Sequence, residues 1–219
     1  MHLASITSQI NGLLPKRCHL ATGRLLDYQK ELSPIEMKYI DGYSAPRKIE
    51  FRAGRSIAKE AANFFGIEIL SISKDVHGCP LWPASVVGSI SHKAGFCGAL
   101  LGARDTYSSV GFDIELVEHL QKDVWKTFAS SNEIGQAKSC NMENSAFANL
   151  IFSAKEAFFK CLHPLYYPDN PGFLDIVVEV KPVLRDYLET TIIFNDEKHH
   201  GGIVFDTKIL ISWALIKKH

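Results

Sequence analysis

The chain has 219 residues, of which 46% are hydrophobic and 22% charged, as is ordinary for a globular protein with its own core. Its 24 basic side chains balance its 24 acidic ones, so no overall charge directs it to nucleic acid or to an anionic membrane surface. Any anion-binding site must therefore be local. Five scattered cysteines without Cys-x-x-Cys spacing argue against a disulfide framework or a zinc site and favour a reducing compartment.

No apolar run approaches the roughly 20 residues that span a bilayer, so we predict no membrane span. The N-terminal residues lack the charged and then apolar pattern of a signal peptide. We therefore expect a cytoplasmic protein that has no nucleic-acid partner.

The first half of the chain is predicted to contain one long helix followed by strands. A strand is expected around residues 18–21, and a polar, partly helical piece at 27–39. A basic stretch at 47–55 runs into a helix at 56–65, which Gly66 ends. The core side of that helix is predicted to be Ile57, Ala61, Phe64 and Phe65. Further strands are predicted at 67–73, 87–91, 96–102 and 109–114.

The second half repeats this order of helices and then strands. We predict a helix at 120–128, a short helix capped near Ser131, and a long helix that starts near Asn144 and ends before Pro164. A loop is predicted at 166–172. Strands are predicted at 176–180, 188–194, 203–205 and 209–216.

Two local signals complete this outline. The pair Gly201 and Gly202 predicts a hairpin turn between the last strands. The repeated order of elements predicts a mixed α/β fold with two halves, residues 1–106 and 107–219.

The start of the first long helix is the most basic part of the chain. It has four basic residues in nine positions: Arg47, Lys48, Arg52 and Arg55. Arginine binds phosphate through its bidentate fork, and lysine binds it as a point charge. The alternative is an ordinary solvated helix face.

The segment 110–115 alternates apolar and polar residues, so Asp113 and Glu115 lie on the same face of a strand. Two like charges about 4 Å apart repel by up to ~4 kcal/mol at an effective dielectric constant near 20. A divalent cation removes that repulsion, and paired carboxylates suit Mg²⁺, which also takes phosphate oxygens. The alternative is a solvated strand face.

The segment 82–95 combines glycine, serines, a histidine and a lysine after a turn bounded by proline. Such a segment offers hydroxyls, backbone N–H groups and an imidazole to an anion, with Ser91 and His92 as the central residues. The alternative is a turn at the end of a strand with a structural histidine.

The segment 152–162 has helical periodicity. A core-facing stripe is predicted from Ile151, Ala154, Phe158, Cys161 and Leu162. Glu156 and Lys160 point away from that stripe, and Lys155 sits near its border. The alternative for Glu156 and Lys160 is a surface pair worth a few tenths of a kcal/mol.

Together, three segments resemble the motifs of the 4′-phosphopantetheinyl transferases of the surfactin and siderophore type. Residues 89–92 match the family's Ser-x-Ser-His motif, and 111–115 match its Gly-x-Asp-x-Glu motif. Residues 152–160 match its (Trp/Phe)-Ser/Thr-x-Lys-Glu-(Ala/Ser)-x-x-Lys motif. The lead-in at 81–83 is similar to the enterobactin synthase component D subgroup, and the resemblance covers about residues 45–175.

The resemblance implies a fold of two similar α/β halves in a pseudo-twofold arrangement, with the active site in the cleft between them. The first half would carry the basic helix that binds coenzyme A and the Ser-His segment. The second half would carry the metal carboxylates and the Lys-Glu helix. The implied reaction moves the 4′-phosphopantetheine arm of coenzyme A to a serine of an apo carrier protein and releases adenosine 3′,5′-bisphosphate.

The resemblance also assigns site residues by their positions in the motifs. The metal set, for Mg²⁺, is Asp113, Glu115 and Glu156, and the catalytic set is Glu156, Lys160 and His92. The coenzyme A set is Arg47, Arg52, Arg55, Ser91, His92, Lys155 and Lys160. Arg55 is the first candidate for the 3′-phosphate, before Arg47 and Arg52. The general base would be Glu156 or a water beside the metal, an assignment that stays open.

The implied partner is an acyl, aryl or peptidyl carrier protein, with the carriers of siderophore and nonribosomal peptide synthesis favoured, and a monomer is expected. A relative that binds carriers without catalysis is one alternative, which the complete set of motif residues argues against. Another Mg²⁺-dependent phosphoryl-transfer or hydrolytic enzyme is the second alternative.

Overall fold

A computed structural model describes residues 3–167, 169 and 171–218. The chain divides into two compact units, one made of the residues up to Ser108 together with Lys218 and one that runs from Ser109 to Lys217. Both combine helices with a β-sheet, which confirms the predicted mixed α/β class. Within the described residues, no helix has both the length and the apolar character that crossing a membrane requires.

The first unit contains a three-stranded sheet with the order β1-β3-β2, in which both pairs are antiparallel. Its helices are α1 (Leu3–Leu13), α2 (Pro34–Met37) and α3 (Ala45–Asn63), and its strands are β1 (Cys18–Arg24), β2 (Val86–Lys93) and β3 (Phe96–Ala103). The strands predicted at 18–21, 87–91 and 96–102 are confirmed. The predicted helix is confirmed too, and it starts earlier than expected, so the basic stretch is helical.

Helix α3 packs against this sheet through small residues. Ala53, Ile57, Ala58 and Ala61 are fully buried and share a hydrophobic cluster with Leu101 of β3. Alanines bring the helix backbone close to the sheet, so α3 lies over the middle strand β3, with β1 and β2 on either side.

Phe64 was predicted to face this core, and that prediction is wrong. Phe64 is the C-cap residue of α3 and lies at the border of the face that Ala58 and Ala62 bury, where it is 59% exposed. Its ring instead stacks on His19 with a centroid distance of 4.4 Å. Phe65 is partly buried and packs at the edge of the cluster.

The strand predicted at 67–73 is also wrong, because this segment is irregular and side chains bond its backbone at Ile72. The Ile72 N–H donates to the Glu36 carboxylate at 2.9 Å, and the Ile72 carbonyl accepts from Arg55 Nε at 2.9 Å. Glu36 is fully buried and also accepts from Lys59 at 2.8 Å. These bonds attach the segment to α2 and α3 in an irregular conformation.

The second unit contains a five-stranded sheet with the order β4-β8-β7-β6-β5. Strands β5 to β8 follow one another as an antiparallel meander. Its helices are α4 (Lys122–Trp125), α5 (Ser131–Gly135) and α6 (Asn144–Tyr166). Its strands are β4 (Tyr107–Leu116), which begins in the first unit, β5 (Val177–Leu184), β6 (Tyr187–Phe194), β7 (Glu197–Phe205) and β8 (Ile209–Lys217).

Helix α6 packs on the sheet with the predicted stripe. Each of its five members is at most 1% exposed: Ile151, Ala154, Phe158, Cys161 and Leu162. The Cys161 thiol donates to the Ala214 carbonyl of β8 at 3.1 Å. The amphipathic pattern therefore fixed which face of α6 meets the sheet and left the opposite face for Glu156 and Lys160.

The hairpin turn predicted at Gly201 and Gly202 is wrong, because both glycines lie inside β7. A Cβ at Gly202 would be 2.3 Å from the Trp213 ring, and one at Gly201 would be 2.4 Å from the Trp213 carbonyl oxygen. The glycines make room for the tryptophan on β8. The turn that precedes β7 is formed by Asn195 and Asp196, which have φ values of 50° and 62°.

Two helix boundaries differ from the prediction. The helix expected at 120–128 is reduced to α4, and turns follow it. Helix α6 continues past Pro164, because the Tyr167 N–H donates to the His163 carbonyl at 3.2 Å and closes a last turn. The predicted loop at 166–172 includes residues 168 and 170, which lie outside the described residues.

Candidate active site

In the second unit, a glycine lets β4 lie directly on α6. A Cβ at Gly111 would be 1.7 Å from the Ala157 carbonyl oxygen, so a larger residue would require a backbone shift. Glu156 and Lys160 lie within one turn of Ala157 on the helix. The Gly-x-Asp-x-Glu spacing therefore places the carboxylates of β4 beside the Lys-Glu turn of α6.

Asp113 is held through both of its carboxylate oxygens. Lys160 Nζ donates to Oδ1 at 2.7 Å and also contacts the Phe112 carbonyl oxygen at 3.2 Å. The Ser153 hydroxyl donates to Oδ2 at 2.8 Å. The Asp113 side chain is only 5% exposed, against 29% for Lys160. Lys160 thus binds a buried strand carboxylate, which a simple surface pair with Glu156 would not do.

Glu156 is partly buried on the same side of α6. Burial raises its pKa above the usual value, Lys160 acts in the opposite direction, and the charges of Asp113 and Glu115 raise the pKa further. The negative charges of both strand carboxylates therefore act on Glu156. Among the described residues, no three His, Cys, Asp or Glu side chains are grouped closely enough to form a preformed metal site.

Lys155 does not have the predicted place beside a substrate. Its side chain is fully buried, and its ammonium is bonded inside the unit. It donates to the Phe128 carbonyl at 2.7 Å and to the Phe173 carbonyl at 3.0 Å, and it pairs with Glu133 at 2.8 Å. A lysine has three N–H donors, so these partners occupy all of them. The predicted contact between Lys155 and coenzyme A is corrected accordingly.

In the first unit, Arg47 and His92 come together from α3 and β2. Arg47 Nη1 donates to His92 Nε2 at 2.9 Å and to Glu50 at 3.1 Å. A guanidinium can only donate, so the His92 Nε2 atom accepts, which corresponds to the neutral tautomer with its proton on Nδ1. Glu50 also lies 3.7 Å from His92 Nε2. Arg47 and His92, which were both predicted to bind phosphate, therefore lie beside the same carboxylate, that of Glu50.

Gly54 sets the distance between α3 and β2. A Cβ at Gly54 would be 2.9 Å from Ile90, which lies on the same strand face as His92. Ser91 is buried and lies on the other face of β2, because side chains alternate along a strand. The structure thus brings His92, and not Ser91, towards the basic helix.

Arg55 and Arg52 are placed more deeply than Arg47. Arg55 is buried, donates through Nε to the Ile72 carbonyl, and lies over the Phe51 ring at 4.4 Å. Burial lowers the pKa of Arg55 to about 10. Arg52 has a buried Nε for which the described atoms offer no hydrogen-bond acceptor.

Lys74 joins this basic group, although the sequence analysis did not single it out. Its ammonium donates to the Tyr43 hydroxyl at 2.8 Å and lies 5.1 Å from the centre of the Tyr39 ring. Arg47 lies 6.0 Å from the centre of the Tyr43 ring, so Tyr43 connects the lysine to α3. No spacing in the sequence predicts this contact, because it depends on the path of the irregular segment after α3.

Comparisons with known proteins bear on both units. Residues 36–102 match the sequence model of the 4′-phosphopantetheinyl transferase N-terminal domain, and residues 109–206 match that of the 4′-phosphopantetheinyl transferase superfamily. The chain is 30% identical over 158 residues to the 4′-phosphopantetheinyl transferase Npt of Nocardia iowensis, covering 71% of this chain and 70% of Npt. The chain belongs to the 4′-phosphopantetheinyl transferase family.

Two further relatives in this family show the same range of similarity. The 4′-phosphopantetheinyl transferase PptT of Mycobacterium tuberculosis is 33% identical over 132 residues, which are 60% of this chain and 58% of PptT. Enterobactin synthase component D of Escherichia coli is 32% identical over 131 residues, which are 59% of this chain and 60% of that protein. The chain thus aligns with 58–70% of the length of these three relatives.

The family predicted from the three motifs is confirmed. As a member of the phosphopantetheinyl transferases, the chain carries the predicted arginines and His92 in the first matched stretch, and the predicted carboxylates and lysines in the second. The structure adds four side chains that the sequence analysis missed: Glu50, Lys74, Glu133 and Ser153. Of these, Ser153 lies within the third motif, so its polar side chain inside a helix rich in phenylalanine was a signal that could have been used.

Proposed function

We propose that this chain transfers the 4′-phosphopantetheine arm of coenzyme A to a serine hydroxyl of an apo carrier protein. The observation that carries the proposal is the group on β4 and α6, in which Lys160 holds Asp113 while Glu156 is desolvated among carboxylates. Breaking a pyrophosphate requires neutralised phosphoryl oxygens and a group that accepts the serine proton. Lys160 and Glu156 offer these two abilities side by side.

The chemistry of three carboxylates suits a Mg²⁺ ion, whose binding would have to draw them together, since the described residues hold no preformed site. Asp113, Glu115 and Glu156 are hard oxygen donors, and their repulsion is the charge that a divalent cation offsets. We propose these three as the residues that hold Mg²⁺. When bound, the ion would neutralise charge on the pyrophosphate oxygens. Lys160 is proposed to help neutralise the pyrophosphate oxygens, because its ammonium lies beside Asp113, a proposed metal ligand.

The reaction can be written with its atoms balanced. The serine oxygen of the carrier forms a bond to the phosphorus that bears the pantetheine arm, and the bond from that phosphorus to the bridging oxygen breaks. Adenosine 3′,5′-bisphosphate leaves with the bridging oxygen. Glu156 accepts the serine proton, directly or through a water that it holds. Lys160 stabilises the charge that develops on the leaving group.

The nucleotide end of coenzyme A is assigned to the first unit. Arg47, Arg55 and Lys74 gather around Tyr39, Tyr43 and Phe51, an arrangement that combines cations for phosphate with rings that can stack on a base. Arg52 lies on the same helix and is proposed as a further phosphate ligand. His92 is held near them through Arg47. We propose that a phosphate replaces Glu50 as the partner of Arg47, because the two anions would compete for one guanidinium.

The acceptor is proposed to be an aryl or peptidyl carrier of siderophore-type or nonribosomal peptide synthesis. The similarity to enterobactin synthase component D supports this choice. Location in the cytoplasm and a monomeric state are parts of the same proposal.

Mass spectrometry of an apo carrier protein after incubation with the chain, coenzyme A and Mg²⁺ tests the proposal. The expected result is a carrier that has gained one phosphopantetheine group on its serine, with an equal amount of adenosine 3′,5′-bisphosphate. A carrier lacking that serine is the control. Cleavage of coenzyme A without modification of the carrier would favour a hydrolase. Carrier binding without either product would favour a non-catalytic relative.

A further inference from the structure

Lys155 forms a buried junction between three segments of the second unit. Its three hydrogen-bond partners are the Phe128 carbonyl, the Phe173 carbonyl and Glu133. Phe128 lies between α4 and α5, and Phe173 lies in the segment before β5. A fully buried ammonium is costly unless it is paired and hydrogen-bonded, and here both conditions are met. Lys155 therefore joins these two segments to α6.

Glu133 forms the other half of this junction. It is buried, pairs with Lys155 at 2.8 Å, accepts from the Ser130 N–H at 2.8 Å, and accepts from the Val178 N–H at 3.0 Å. It thus caps α5 and binds the start of β5. This carboxylate therefore adds a polar link between α5 and α6 to the apolar contacts of the core.

The two residues whose backbone carbonyl groups accept hydrogen bonds from Lys155 are both phenylalanines. The Phe128 ring lies 5.1 Å from Phe152, and the Phe173 ring lies 6.0 Å from Phe152 and 5.7 Å from Phe159. We call these four phenylalanines the aromatic wall. Two of its members, Phe152 and Phe159, are four residues before and three after Glu156, so they lie next to it on the helix surface.

We propose that Lys155 is a positioning residue, which together with Glu133 fixes the aromatic wall beside Glu156 and makes no contact with substrate. The inference rests on the proposed function, because the group that it positions is the proposed proton acceptor. Phe128 and Phe173 come from segments without long helices or strands of their own. Without Lys155, those two rings would lose their hydrogen-bonded attachment to α6, and the surroundings of Glu156 would change.

This role differs from that of a simple stabilising ion pair. Replacing both members of a buried ion pair by neutral residues of similar size is often neutral for stability. A pair that served stability alone would therefore tolerate the double change Lys155→Met with Glu133→Gln. A positioning pair would not, because methionine cannot hold the two carbonyl groups.

The test compares four proteins in carrier modification: the parent, Lys155→Met, the double variant Lys155→Met/Glu133→Gln, and Lys155→Arg. Leu150→Ala serves as a control, because Leu150 is a buried core residue of the same helix that lies outside the proposed site. Unfolding midpoints are measured for all of them. Misplacing a reacting group by about 1 Å can cost a hundredfold in rate.

We expect kcat to fall by about ten- to a hundredfold in the double variant, while the KM for coenzyme A stays within about twofold of the parent value. Lys155→Arg, which keeps the donors, should recover part of kcat. The leucine control should lose stability and keep its kcat at a temperature where it is folded.

Three results would overturn the proposal. A double variant with parental kcat would show that the pair of Lys155 and Glu133 contributes to stability only. A large rise in the KM for coenzyme A in the double variant would indicate that Lys155 contacts coenzyme A directly. A parent protein without any transfer activity would refute the proposed function, and with it the reaction that Lys155 is said to serve.

Discussion

Replacing Lys160 by alanine tests the central ion pair of the proposed site. The change removes the ammonium that lies 2.7 Å from Asp113 Oδ1 and keeps the Ser153 hydroxyl as a donor to Oδ2. Removing one partner costs about 3–5 kcal/mol for a fully buried pair and about 0.2–1 kcal/mol for an exposed one. With Asp113 5% and Lys160 29% exposed, we expect a loss of unfolding free energy between these limits, about 1–3 kcal/mol.

The effect on the reaction should be larger than the effect on stability. An ammonium that stabilises the leaving group in the transition state contributes about 10²–10³ in kcat, the range seen when one such donor is removed. The assay is single-turnover modification of an apo carrier protein, followed by mass spectrometry, with urea denaturation as the measure of stability.

Lys181→Ala is the matched control, because Lys181 is an exposed lysine on β5 of the same unit. It should change neither stability nor rate. Lys160→Arg should keep the ion pair with Asp113 and retain an intermediate rate. If Lys160→Ala kept more than half of the parental rate, Lys160 would have no place in the chemistry and the pair with Asp113 would be structural only.

Three further predictions follow from other parts of the structure. Arg55→Ala should raise the KM for coenzyme A about ten- to a hundredfold, since a hydrogen bond to a charged group contributes about 1.5–3 kcal/mol. The KM for dephospho-coenzyme A should not change. Equal effects on both substrates would show that Arg55 does not bind the 3′-phosphate. Gly111→Ala should destabilise the second unit by at least about 1–3 kcal/mol, because its Cβ would overlap the backbone of α6, whereas Gly135→Ala, with open space around it, should be tolerated in urea denaturation. Burial raises the pKa of Cys18 to about 11 and that of Cys97 to about 12. Both thiols should therefore resist iodoacetamide at pH 8 in the native protein and react after denaturation. Rapid labelling of either thiol in the native protein would contradict that burial.

The parts of the fold that sequence could predict are those that depend on local periodicity. The α6 stripe that includes Ile151 and Phe158 needed only the spacing of apolar residues along one helix, and every member is buried. The same holds for the shared strand face of Asp113 and Glu115, which follows from the alternation of side chains. Local periodicity also placed Glu156 and Lys160 away from the core.

The wrong predictions concern residues whose conformation or burial depends on contacts with residues distant in the sequence. Gly201 and Gly202 look like a turn, yet they lie in a strand because Trp213 occupies the space above them. Lys155 looks like a residue at the border of a surface, yet Glu133 and two carbonyl groups hold it inside. A buried lysine depends on partners that no spacing along its own helix can reveal.

The most direct test of the proposed activity is the mass of a carrier protein before and after incubation with coenzyme A, Mg²⁺ and either the parent chain or its Glu156→Gln variant. The parent should add one phosphopantetheine group to the carrier serine. The variant should do so at least about a hundredfold more slowly, the scale of a lost general base. An unchanged carrier mass with the parent, or equal rates for the two proteins, would contradict the account.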